Sequence, residues 1–101
     1  MAPTDPVRVP LPIKVIYGRK TVTAAGTAEP LVASYTYLQS GITITALTGN
    51  TNNVYVGDSA VGSGNGHILD ADDSIFLEIR DLNTVYIDTD TNGEGVSFIG
   101  S

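Results

Sequence analysis

The sequence predicts an all-β protein, a small β-sandwich or jelly roll of about eight short strands preceded by an extended N-terminal arm. Three observations predict it. Val, Ile and Thr make up 31 of the 101 residues, and β-branched side chains, stiff at χ1, suit a pleated surface better than a helix. Apolar and polar residues alternate with period two, most clearly in Ser74-Ile75-Phe76-Leu77-Glu78-Ile79-Arg80, which is the pattern of a half-buried strand. No window carries an apolar i, i+3, i+4, i+7 stripe between caps, so almost no helix is expected.

Prolines at positions 3, 6, 10 and 12 make residues 1–12 an arm rather than a central strand, since proline fixes φ and cannot donate to a ladder. Val7, Val9 and Leu11 alternate within the arm and would anchor it on a neighbour. Residues 13–101 form the single domain that this length allows.

Ile13–Tyr17 is the first expected strand, ended by Gly18, and residues 21–24 are the second. Residues 26–30 read as a loop and Leu31–Leu38 as a third strand. Residues 42–47 put Ile42, Ile44 and Ala46 on one side; a turn rich in Asn and Gly then returns Val54–Val56 as the partner strand. Residues 62–66 are the most flexible loop, and residues 67–69 a short strand. Asp70–Asp73 turn into the Ile75 strand, and Asp81–Asn83 into the Thr84–Asp88 strand. Asn92-Gly93 signals a type I′ hairpin leading to the last strand, 96–99.

The net charge of −6 is uneven. Residues 1–40 hold Arg8, Lys14, Arg19 and Lys20 against Asp5 and Glu29, whereas residues 41–101 hold only Arg80 against nine acids. An acidic body repels phosphate, which argues against nucleic acid as a partner. The basic third could meet an acidic partner or the acidic half of another copy. A domain this small gains stability from a shared interface, so a homo-oligomer, dimer or trimer, is expected. No apolar run approaches the ~20 residues that span a bilayer, and the N-terminus lacks the pattern of a secretory signal; no membrane partner is expected. There is no cysteine, so disulfides and thiolate chemistry are excluded.

Candidate chemistry is sparse, and the chain reads as a non-enzyme without a cofactor. Asp88, Asp90 and Asn92, followed by Gly93, match the first half of a calcium loop, but the bidentate Glu of its last position would fall on Ile99. The simpler reading of these residues is a polar turn. His67 is the only histidine, and Ser59, Ser63 and Ser74 lack a nucleophile-elbow context. Aromatics remain. Phe76 should point away from Ile75, Leu77 and Ile79, and Tyr55 and Tyr86 away from their Val and Ile neighbours. With Val7, Val9 and Leu11, these three are the expected interface residues.

Asn52-Asn53-Val54-Tyr55-Val56, which runs into Gly57-Asp58, returns 31 residues later as Asn83-Thr84-Val85-Tyr86-Ile87, which runs into Asp88. Between them lie a Gly-rich loop, Ile68-Leu69 and Asp73-Ser74-Ile75-Phe76-Leu77. This order, across about residues 42–99, resembles small structural proteins of tailed bacteriophages, including head decoration or cement proteins. Their pattern has a Gly where this chain has Asp72. The resemblance implies a β-sandwich that oligomerises on a capsid, with the major capsid protein as partner and the virion surface as location. The alternative expectation is a calcium-dependent ligand- or carbohydrate-binding β module of a tail fibre, which the Asp88–Asn92 loop would serve.

Overall fold

The alternation in residues 42–46 becomes a strand that buries Ile42, Ile44 and Ala46 and turns Thr43 and Thr45 outward. The same logic repeats through the computed structural model, which describes residues 11–101. Its strands are β1 (Ile16–Thr21), β2 (Glu29–Pro30), β3 (Ile42–Ala46), β4 (Val54–Gly57), β5 (His67–Leu69), β6 (Ser74–Leu77), β7 (Tyr86–Thr89) and β8 (Gly95–Gly100). The only helical element among the described residues is a 3-10 turn, Leu82–Thr84, capped by the Asp81 side chain.

All pairings are antiparallel, and β1 pairs β8, β2 pairs β7, β3 pairs β6 and β4 pairs β5. The chain is thus one long ribbon, folded back at the β4–β5 loop and then rolled. Two seams, β3 with β8 and β4 with β7, close it into two sheets ordered β1-β8-β3-β6 and β2-β7-β4-β5. This is the strand order of a jelly roll, a sandwich of two Greek keys. Between the sheets lies one core that includes Val22, Leu38, Val54, Leu69, Leu82, Ile87, Val96 and Phe98. Each such aliphatic side chain contributes about 1.5–3 kcal/mol on leaving water.

The topology corrects several expectations. The strands expected at 13–17 and 21–24 are replaced by β1, which runs straight through Gly18. Gly18 is opposite Phe98, and a Cβ there would stand 2.9 Å from Phe98 Cζ, so this glycine makes room for a core ring rather than ending a strand. Residues 31–38 are irregular apart from a bridge between Tyr37 and Asp81, and the loop expected at 26–30 contains β2. Residues 54–57 do not pair with 42–46, because the turn between them crosses from one sheet to the other. The β7–β8 connection crosses likewise, so Asn92-Gly93 closes no hairpin; Glu94 N donates to Thr91 O, and Gly93 alone has positive φ, the sign pattern of a type II turn.

Polar groups lock the rolled corner where β1 approaches β2. Lys20 Nζ lies 3.0 Å from Glu29 Oε1, and Glu29 Oε2 accepts from the amides of Thr23 and Ala24. Partial burial pushes the Glu29 carboxyl upward, but the Ala24 amide, Lys20 and the Thr23 amide outweigh it and hold the carboxyl below its usual range.

Candidate interaction surface

Register aligns the outer face of the β1-β8-β3-β6 sheet into rows. Tyr17 pairs with Ile99, Ile99 with Thr43, and Thr43 with Phe76, so these four side chains cross the whole sheet in one line. Tyr17 is 75% exposed, and Phe76 and Ile99 are 57% each. The next row, Arg19, Ser97, Thr45 and Ser74, is polar, and Thr45 Oγ1 lies 2.7 Å from Ser74 Oγ. One end of this face is therefore apolar and the other hydrophilic. Single exposed apolar residues are ordinary, whereas a contiguous band of them marks an interaction surface.

Further exposed apolar residues lie off the sheet, before a bend at Ile13 and Lys14 and after it. Val15, Ile13 and Leu11 precede Tyr17 at every second position, and all are exposed, Ile13 completely. Tyr35 and Tyr37 are exposed at the same end, where an open cleft of about 420 Å³ is lined by Ile13, Lys14, Tyr35 and Tyr37, with Ser101 beside them. Of the expected interface residues, Leu11 and Phe76 belong to this band, while Val7 and Val9 lie outside the described residues.

Tyr55 does not serve as expected. It points outward from its sheet, as the alternation requires, but is only 6% exposed. The loop after β4 folds back over it. A Cβ on Gly66 would be 2.6 Å from Tyr55 Cβ and 2.7 Å from Val61 Cγ2, so Gly66 packs closely on both, and Val61 is buried too. Residues 62–66, expected as the loosest loop, are cross-linked by Gly62 N to Asn65 Oδ1 at 2.8 Å and Gly66 N to Gly62 O at 3.0 Å. Tyr86, opposite Pro30 and Gly57, is half-buried. This second sheet thus has its outer face largely covered.

The acidic loop is spent on the protein itself. Buried Asp88 accepts at Oδ1 from Gly26 N (2.9 Å) and Thr89 N (2.8 Å). Asp90 Oδ2 accepts from the Tyr55 hydroxyl at 2.7 Å, and Asn92 Oδ1 accepts from Ala25 N at 2.8 Å. The bond to the Asp90 carboxylate raises the Tyr55 phenol above its ordinary value. These three oxygens accept from four different protein donors. No group of three His, Cys, Asp or Glu among the described residues is placed to hold a metal ion. His67 is exposed on edge strand β5, and Ser74 bonds Thr45 rather than a histidine.

Sequence reasoning missed Tyr17, Ile13, Val15 and Ile99. The first three had a signal: Val7, Val9, Leu11, Ile13, Val15 and Tyr17 are a single period-two stripe. Reading a strand break at Gly18 and an arm ending at residue 12 cut that stripe in pieces. Ile99 had none, because its face depends on β8 pairing with both β1 and β3.

The protein is thus a jelly roll in which one sheet has Tyr55 buried on its outer face and Ile68 exposed, and the other presents an exposed apolar row. Comparison with family models, with curated proteins and with solved structures gives no match to this chain.

Proposed function

We propose that this protein is a non-enzymatic structural subunit of a tailed-phage virion, a decoration or cement protein that binds the major capsid protein and stabilises the head from its outer surface. The observation that carries the reading is the exposed row Tyr17, Ile99 and Phe76, with exposed Ile13 and Val15 just before it in the chain. A cement subunit needs a rigid body and an adhesive surface, and a jelly roll with one open apolar sheet face supplies both. The motif order across residues 42–99 supports the same reading. The tail-fibre alternative draws on the Asp88–Asn92 loop, whose oxygens are already engaged by Gly26, Thr89, Tyr55 and Ala25.

The test is co-sedimentation of the purified protein with heads assembled from the major capsid protein of the genome that encodes it. Saturable binding that raises the melting temperature of the heads supports the proposal. A gene neighbourhood holding a fibre gene, together with no binding to heads, overturns it.

A further inference from the structure

We infer that the N-terminal arm of one copy adds as an extra strand along the free edge of β6 in a second copy. The inference stands apart from the virion reading and is tested without a capsid.

The donor is written in the alternation of residues 7–17. Val7, Val9, Leu11, Ile13, Val15 and Tyr17 occupy every second position. That is the stripe of a strand with one face to bury, yet in its own copy the chain bends at Ile13 and Lys14 and leaves Leu11, Ile13, Val15 and Tyr17 exposed, so the arm has to straighten there on docking. Within residues 6–12 the prolines take the opposite parity. Pro6, Pro10 and Pro12 all stand at even positions. In a strand, backbone N–H and C=O groups also alternate sides, so the amides of residues 7, 9, 11 and 13 can pair with a neighbouring edge. The prolines then face away, where no donor is needed. Such an arm adds to an edge and stops further strands from adding to it.

Charge and length select the acceptor. Four edges are available: β1, β6, β2 and β5. Strand β2 has two residues, one of them Pro30, and β5 has three. Strand β1 carries Arg19 and Lys20, the same sign as Arg8 and Lys14 of the arm. Strand β6 is flanked by exposed Asp70, Asp72 and Asp73 on one side and by exposed Glu78 on the other, with one cation, Arg80, beyond it, so acids outnumber bases four to one. It also presents Phe76 at the end of the apolar row, where cross-strand neighbours from an added strand would cover it. The basic arm therefore meets an acidic edge with an apolar anchor in its middle.

Sedimentation velocity on full-length chains tests the direction of the contact. The donor-impaired variant is L11D/I13D and the acceptor-impaired variant is Phe76→Lys; all three side chains are exposed, and circular dichroism checks that the fold is kept. The wild type is expected to associate, each variant alone to sediment as a monomer, and an equimolar mixture to form a two-chain complex, because one partner keeps its arm and the other its edge. Glu78→Lys, a second acceptor variant, should weaken wild-type association about tenfold. A wild type that stays monomeric at high concentration overturns the inference. So does L11D/I13D associating like the wild type, a mixture that stays monomeric, or Glu78→Lys binding as tightly as the wild type.

Discussion

Gly18 and Phe98 face each other across the β1–β8 ladder, with the ring filling the space a side chain at 18 would need. Gly18→Val should therefore overpack the core and lower stability by about 1–3 kcal/mol. Urea denaturation measures this, and Gly18→Val with Phe98→Leu should recover part of the loss. Equal stability of Gly18→Val and the wild type would show that the strand shifts freely at this point.

Glu94 ties the β3–β4 turn to the β7–β8 turn. Its Oε2 accepts from Thr51 N and Thr51 Oγ1, both at 2.7 Å, and Oε1 accepts from Asn52 N at 3.1 Å. The Thr51 amide, then its hydroxyl, lower the carboxyl below its ordinary value against a partial burial that raises it, and Asn52 adds to the lowering. A depressed folded-state value gives stability that is present above the unfolded value, about 4.3 for Glu, and is lost as pH falls through the folded value. Glu94→Gln should thus melt below the wild type at neutral pH, with the gap closing in acid. A gap independent of pH would assign the effect to the amide's shape rather than to charge.

Asp72 is the only described non-glycine residue with positive φ, +70°. Its carboxylate accepts from Thr48 Oγ1. Left-handed backbone costs an ordinary L-residue about 1–2 kcal/mol. Asp72→Ala should lose about that much, while Asp72→Gly, which trades the Thr48 bond for backbone ease, should remain close to the wild type. Chemical denaturation orders the three, and Ala equal to Gly would contradict the strained-turn account.

Calcium should be dispensable, because Asp88, Asp90 and Asn92 already accept from protein donors. Chelator should leave the melting temperature unchanged. Gly93→Val, at φ +87°, should destabilise by about 1–2 kcal/mol. A melting temperature that drops in chelator and returns with millimolar calcium would put the ligand-binding module first.

Periodicity in the sequence by itself determined which side chains of a strand share a face. Ile42, Ile44 and Ala46 are buried together, and Phe76 stands opposite Ile75 and Leu77, because alternation is local and follows from the pleat. Only the tertiary structure decided which strand lies beside which. In this roll β4 and β5 are the only consecutive strands that pair, so turn signals at residues 49–53 and 92–93 marked reversals correctly and partners wrongly. The same non-local pairing decided what each outward face meets. Tyr55 and Tyr17 both point out of a sheet; the loop carrying Gly66 folds over the first, which is 6% exposed, while the second is 75% exposed. A two-residue period tells inside from outside of one strand, but burial depends on loops and sheets far away in the chain.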